Sequence, residues 1–320
     1  MHTLYPWRDG KGETLSPQEF FELLAPPSRI DGVILHYCRF QRQATLPSLS
    51  LSSVREVRLE CTPRILELDI HILLKVITKL RSISSIDVSY CGRQPEGRLS
   101  LDLTTRSPHD LRKVKDVKIL GSRFNLWRIL SHLDRVIDFA SVENLSLTWS
   151  PVMPEIVSHI QRMSNLKSIL FTTSSTIRST LEPFQNLHLE CISIVGDFFI
   201  RGSKLEFQEN NWDLFIRDLG VLAPTNAQRL EIFMRIDNGS NDIPLEFDTV
   251  KKVILSQDWE QLAATLQGFQ SLHAVHLGIV STPGWSEPQL KDIWKHLPAP
   301  VAPMLHLTST NDQILFALAE

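Results

Sequence analysis

Residues 83–91 read Ile83-Ser84-Ser85-Ile86-Asp87-Val88-Ser89-Tyr90-Cys91 (ISSIDVSYC). This stretch contains an apolar residue, two variable residues, an apolar residue, one variable residue, a further apolar residue, two variable residues and a cysteine. The alternation around Ile86 and Val88 predicts a short strand with one buried face. A small polar side chain at the cysteine position suits a turn, because it can hydrogen-bond to turn backbone.

The same pattern recurs along the chain, and self-similarity of this kind indicates a repeat architecture. The first seven starting positions are separated by 24, 29, 31, 28, 24 and 23 residues, and most of these steps match the leucine-rich-repeat period of roughly 20–29 residues. An eighth repeat around Leu230, Ile232 and Met234 is weaker, and the sequence leaves its register open between residues 227 and 236. The other repeats begin at Ile30, Val54, Ile83, Val114, Val142, Leu166, Leu189 and Leu272.

The segments between the predicted strands have helical periodicity. Pro154 and Pro288 suit a first helical turn, and Asp258 is a candidate N-cap. Strands that alternate with helices at this period predict an α/β solenoid, right-handed, with parallel strands on the concave face and helices on the convex face. An ordinary α/β domain is the alternative. The predicted helices span residues 68–80, 126–137, 154–163, 212–222, 259–269 and 287–297.

Three regions follow from the repeat boundaries. Residues 1–28 are predicted to form an amino-terminal cap, which includes a helix over 16–24, and residues 311–320 a carboxy-terminal cap. Between them, residues 29–310 form an irregular array of about nine repeats. Insertions are expected near 92–111 and 197–271, with extra strands over 99–103, 205–207 and 245–255.

Composition limits the class of protein. The chain has 320 residues, 42% of them hydrophobic, and a formal net charge of −3, so no basic excess favours nucleic acid. No apolar stretch is long enough to span a membrane, and the polar start lacks the apolar core of a secretory signal, so we expect an intracellular protein, cytoplasmic or nuclear. We expect all four cysteines to be reduced; three of them, Cys38, Cys61 and Cys91, recur at the turn position.

Two repeats carry a resemblance to a known family. The stretches IDGVILHYC (30–38) and SISSIDVSYC (82–91) resemble the cysteine-containing class of leucine-rich repeats, and the irregular steps resemble the repeat region of fungal F-box proteins, especially the large mushroom families. This resemblance implies a substrate receptor of a ubiquitin ligase. The F-box itself is not recognisable, so a cullin-linked adaptor is expected as a partner only if an F-box exists outside this chain.

Sequence motifs for catalysis are absent. The chain has no G-x-x-x-x-G-K-[ST], G-x-G-x-x-G, G-x-S-x-G or H-E-x-x-H motif. His273 and His276 are three residues apart in a predicted strand, so they are expected on opposite faces, where they cannot chelate one metal. We therefore expect no cofactor, no metal and no enzymatic activity; the alternative is an α/β enzyme of unidentified chemistry.

The expected function is to bind a protein partner, of unknown identity, on the concave strand face. Residues between the apolar positions of each strand point away from the core, and stacked strands join them into one surface. Charge reversal of Arg58 and Lys118 is expected to weaken binding without lowering stability, whereas Leu147 is expected to be fully buried. The predicted contact residues are Glu56, Arg58, Glu60, Asp87, Asp116, Lys118, Asn144, Ser146 and Thr148, with Phe233 as an aromatic anchor.

Overall fold

The structure is a computed structural model of an α/β protein, and its chain divides into two compact units. The amino-terminal unit comprises Met1–Thr148 and Met153–Leu166, and the carboxy-terminal unit comprises Trp149–Val152 and Lys167–Glu320. The structure describes residues 2–4, 32–36, 56–61, 74, 77–78, 83–90, 111–121, 126–149, 154–173, 184, 187–201, 204–207, 210–237, 246–280, 286–297 and 305–310.

Parallel strands form the frame of the amino-terminal unit. Each pairs with the next in register, and the chain order β1-β2-β3-β4-β6-β8 is also the spatial order. Two shorter strands, β5 (Arg112–Lys113) and β7 (Ile137–Asp138), pair separately. The main strands are β1 (His2–Leu4), β2 (Gly32–His36), β3 (Glu56–Cys61), β4 (Ser85–Tyr90), β6 (Asp116–Gly121) and β8 (Asn144–Trp149).

Burial in this unit follows the predicted alternation. Val117 and Ile119 of β6 are buried, whereas Lys118 between them is half-buried. Leu147 of β8 is 0% exposed, as predicted. Helices α1 (Leu126–Leu133) and α2 (Pro154–Gln161) contribute Ile129, Leu130, Leu133, Ile156 and Ile160 to the buried apolar set.

The carboxy-terminal unit has the same parallel pairing. Its main strands follow the order β9-β10-β13-β14-β15, and β11 (Lys204–Phe207) adds to β10 in the antiparallel direction. A short strand, β12 (Asn210–Asn211), pairs with β11. The main strands are β9 (Ser168–Thr173), β10 (Cys191–Arg201), β13 (Arg229–Asp237), β14 (Ala274–Val280) and β15 (Leu305–Thr310).

Among the described residues of this unit, the α-helices are α3 (Trp212–Leu219), α4 (Phe247–Leu255), α5 (Trp259–Gln267) and α6 (Glu287–Lys295). The apolar residues of α5 recur at the spacing that places them on one face, and Asp258 caps the helix by accepting a hydrogen bond from Gln261 N at 2.9 Å. Trp212 and Trp259, which begin α3 and α5, are both buried, with ring centroids 5.3 Å apart. The indole of Trp259 donates to Ile254 O at 2.8 Å.

One pair of backbone hydrogen bonds recurs where successive strands begin. In the third repeat, Ser84 O accepts from Lys115 N at 2.9 Å and from Asp116 N at 3.0 Å. Each equivalent carbonyl directly follows the first apolar residue of its repeat, so the repeats with a described acceptor are also equivalent in their backbone bonding. The equivalent acceptors are Lys115, Lys167, Glu190 and Gln228.

This bond pair determines the register of the eighth repeat. Gln228 occupies the acceptor position, so the repeat begins at Ala227, which is fully buried. Leu230 and Ile232 then align with Ile192 and Ile194 of the preceding repeat. Sequence reasoning did not find Ala227 because alanine contributes little to a hydrophobic pattern.

Several expectations are corrected. In place of the strand predicted over 245–255, residues 247–255 form α4, in which Val250, Val253 and Ile254 have helical spacing and are buried. The repeat that begins at Leu189 was expected to turn at its ninth residue, Asp197, but β10 continues to Arg201 and pairs with β11 and β13. The helix predicted over 126–137 ends at Leu133, and Ile137 belongs to β7.

Some predicted features lie outside the described residues: the helix over 16–24, the strand over 99–103, the cap at 311–320 and the turns at Cys38 and Cys91. Within the predicted amino-terminal cap, residues 2–4 form β1. Of the helices in the described part of the chain, none combines the length and apolar character needed to cross a lipid bilayer.

Candidate functional site

The predicted partner-binding residues occupy one face of the parallel strands. We call this the strip face: the strand positions that alternate with the buried ones. In the amino-terminal unit it forms two complete rows across β3, β4, β6 and β8. The first row contains Glu56, Ser85, Asp116 and Asn144, and the second contains Arg58, Asp87, Lys118 and Ser146. The backbone therefore brings residues distant in sequence to adjacent positions.

The first row has an accessible polar end. Asn144 is exposed, and its Nδ2 donates to Asp116 Oδ1 at 2.6 Å across the boundary between β8 and β6. Asp116 is half-buried. The pair leaves the Asn144 amide oxygen as an acceptor toward solvent, so this part of the strip face is suited to hydrogen bonding with a partner.

The second row differs from expectation because two of its members, Asp87 and Lys118, have little exposed side-chain surface. Lys118 Nζ lies 3.7 Å from Asp87 Oδ2, and the side chains of Lys118 and Asp87 are only 12% and 7% exposed. The sequence predicts alternation but not what covers the outward residues. Lys118 and Asp87 are therefore a partly desolvated ion pair rather than open contact residues, and a reversed charge at Lys118 is not neutral for stability.

For the remaining predicted contact residues, the strand and the register of the backbone give the position. Glu56, Arg58 and Glu60 lie in β3, in register with Ser85, Asp87 and Ser89 of β4. Thr148 lies in β8, and Ser146 of the same strand is half-buried.

A polar cluster on the strip face of the carboxy-terminal unit was not predicted. Arg229 Nε donates to Cys191 Sγ at 3.3 Å and contacts Glu231 Oε1 at 3.1 Å. Glu231 Oε2 accepts from Ser193 Oγ at 2.5 Å. The hydrogen bond to Cys191, with the nearby charge of Glu231, raises the pKa of Arg229, so the guanidinium stays charged. Once Ala227 is known to begin the repeat, the alternation itself places Arg229 and Glu231 on this face.

Phe233 is not an exposed aromatic anchor. It is 3% exposed and packs with Val195 and Leu170 on the strip face, and its ring makes an edge contact with His276 at 5.5 Å between centroids. The ring covers Gly278 of the next strand, where a β-carbon would lie 2.4 Å from Phe233 Cδ1. The absence of a side chain at residue 278 therefore lets this apolar cluster form.

A second polar cluster links α1 and α2 of the amino-terminal unit. Ser131 Oγ lies 3.0 Å from His159 Nε2, and His159 Nδ1 lies 3.8 Å from Asp134 Oδ2. These residue types are those of a serine-hydrolase triad, but the geometry differs. The distance to Asp134 exceeds a hydrogen bond, and Ser131 lies in the last turn of α1, where the helix dipole disfavours an oxyanion.

The two histidines considered for metal binding, His273 and His276, lie on either side of the first residue of β14. His273 is exposed and precedes β14, whereas His276 lies within that strand. Among the described residues, no group of three histidine, cysteine or acidic side chains is arranged to hold a metal ion.

Comparisons with known proteins identify no relative of this chain. The chain matches no protein-family model, and no curated protein or solved structure is significantly similar to it.

Proposed function

We propose that the chain is a leucine-rich-repeat solenoid that binds a protein partner on the strip face. The recurring pair of backbone hydrogen bonds at the strand starts carries the proposal. This pair makes the repeats equivalent within each unit, and stacked equivalent repeats present their outward residues as a continuous surface. In this proposal the strip face is the concave face, and the helices form the convex one.

Exposed polar groups on the strip face support a recognition role. The Arg229 side chain is 57% exposed while its Nε is held by Cys191 and Glu231, which leaves its terminal N–H groups as donors for a partner. Asn144 supplies an exposed amide in the amino-terminal unit. A partner with carboxylates and backbone polar groups would complement both positions.

The resemblance of residues 30–38 and 82–91 to cysteine-containing repeats makes the proposal more specific. By that resemblance, the partner is a substrate presented to a ubiquitin ligase. A cullin-linked adaptor enters this proposal only through an F-box outside this chain.

Site-specific photocrosslinking tests the binding face. A benzoylphenylalanine at Asn144 should cross-link a protein in cell extract, and excess unlabelled chain should compete for that product. The matched control is the same residue at Gln161, which is exposed at the end of α2 in the same unit. Cross-links from residue 161 with none from residue 144 would assign binding to the helices and overturn the proposal.

Small-angle scattering tests the solenoid separately. A repeat array predicts an elongated particle with a radius of gyration above that of a compact chain, about 20 Å for 320 residues. A compact profile would remove the solenoid and favour the alternative of an ordinary α/β domain.

A further inference from the structure

The cluster between α1 and α2 contains a half-buried histidine, His159, with an incomplete set of hydrogen bonds. Within the described part of the chain, the buried atoms His159 Nδ1 and Asp134 Oδ1 have no hydrogen-bond partner. His159 Nε2 is occupied by Ser131 Oγ, and Asp134 Oδ2 is occupied by Arg162 Nη1 at 2.5 Å. The network therefore has an unused nitrogen and an unused carboxylate oxygen in the same cluster.

A proton completes this network. A neutral imidazole carries hydrogen on one nitrogen only, whereas the imidazolium carries hydrogen on both. The Ser131 hydroxyl can donate to Nε2 in the neutral ring or accept from it in the charged ring, so this bond is compatible with both states. In the neutral tautomer with hydrogen on Nε2, protonation adds a hydrogen at Nδ1, which lies 3.8 Å from Asp134 Oδ2. In the other tautomer Nδ1 already carries hydrogen, and protonation adds one at Nε2, where Ser131 Oγ can accept it.

We propose that His159 is a proton-binding element that couples the contact between α1 and α2 to pH. When the ring takes up a proton from solvent, Asp134 gains a second cationic neighbour beside Arg162, and its carboxylate can turn toward His159. Arg162 is 55% exposed, so its guanidinium can give up part of that contact to water at small cost.

Burial, and then two opposing charges, set the response of the ring. The charged groups that face it among the described residues are Asp134, which follows α1, and Arg162, which follows α2. The uncharged neighbours are Ser131 and the Phe139 ring, whose centroid is 5.6 Å from that of His159. Burial lowers the pKa of His159, Asp134 opposes that shift, and Arg162 adds to it.

Nuclear magnetic resonance of the full chain, labelled at histidine, tests the proposal. His159→Gln identifies the ring signal by its loss. The midpoint in the wild-type chain should lie below 6.5, the usual value. Asp134→Asn should lower the midpoint by several tenths of a pH unit, and Arg162→Gln should raise it. The signal of exposed His273, in the other unit, should stay unchanged in both variants.

Backbone amides test the coupling. Signals from α1 and α2 should shift with the same midpoint as the ring, and these shifts should vanish in His159→Gln. A ring midpoint that neither charge variant moves would overturn the proposal, as would amides of α1 and α2 that do not respond to its titration. Arg162→Gln alters an exposed side chain, so this variant keeps the test usable if Asp134→Asn fails to fold.

Discussion

Gly278, which has no side chain, shapes the strip face of the carboxy-terminal unit. The Phe233 ring lies over Gly278, and it is held there with Val195 and Leu170. Because Phe233 is almost fully buried, the ring cannot swing into solvent to make room for a larger neighbour.

Gly278→Ala is therefore expected to destabilise the protein. The new β-carbon would lie 2.4 Å from Phe233 Cδ1, so ring or strand must shift, at a cost of about 1–3 kcal/mol. Thermal melting measures the effect. Gly220→Ala is the matched control, because its β-carbon would meet only Thr265 Cγ2, at an ordinary 3.7 Å.

The clash itself can be tested by combining substitutions. In a Phe233→Leu background, Gly278→Ala should cost less than in the wild-type chain, and the difference is the coupling between the two sites. An equal cost in both backgrounds would show that the ring is not the obstacle.

At the scale of single residues, sequence reasoning succeeded where burial follows alternation. Leu147 was predicted as buried, and it is. Phe233 also follows the alternation, yet its position on the outward face does not make it exposed. Its burial depends on Val195 and Leu170, which are 38 and 63 residues away in sequence, and on a glycine in the next strand. No local pattern contains that information.

At the scale of strands, the contact between β4 and β6 includes an ion pair with little exposure. Lys118 and Asp87 are neighbours in the register of the two strands, and their charged atoms are 3.7 Å apart. A pair shielded from water is strongly affected by loss of one partner.

Lys118→Glu is expected to lower the stability of the protein. It places two carboxylates side by side, and removal of one partner from a buried pair costs about 3–5 kcal/mol. Lys115→Glu is the matched control: Lys115 pairs with Glu143 at 3.0 Å but is 66% exposed, so we expect a loss of about 1 kcal/mol or less. Urea unfolding of both variants measures the difference.

A charge-swapped double variant shows whether charge or packing causes the loss of stability in Lys118→Glu. Asp87→Lys with Lys118→Glu should recover part of the stability lost in Lys118→Glu. If the swap is no better than the single variant, the loss arises from packing and not from charge.

The sequence predicted the presence of helices and strands better than the residues at which they end. The strands of the repeats and the first residues of α2, α3, α5 and α6 follow from apolar spacing and from the helix-starting residues. Within the insertion expected between residues 197 and 271, α4 was predicted as a strand, and the extension of β10 was not predicted. Both depend on pairing or packing with distant segments, which override local preference.

At the scale of the whole molecule, His159 should make folding stability depend on pH. Its pKa is lowered in the folded state from the ordinary 6.5, so the unfolded chain binds more protons between the two values. The free energy of unfolding should therefore fall as the pH drops through 6.5 toward the folded-state pKa.

Urea unfolding at a series of pH values, compared with His159→Gln, isolates this contribution. The variant should lose less stability than the wild-type chain as the pH falls below 6.5. The pKa of Asp292 is also lowered, chiefly by its hydrogen bond to Lys251. Its ordinary pKa is 3.8, so its contribution to folding stability is lost only at pH values below the histidine range. Parallel curves for the two proteins across the histidine range would contradict the prediction.

The two tryptophans that begin α3 and α5 give the carboxy-terminal unit an optical signature of its own. Their rings lie 5.3 Å apart, tilted by 57°, and both are shielded from water. Two strong indole transition dipoles at such a distance couple, so the pair should produce a split circular-dichroism band in the far ultraviolet, and the shielded rings should emit at short wavelength. Separation of α3 from α5 would abolish the split band. Spectroscopy can thus follow the melting of this unit without any added label.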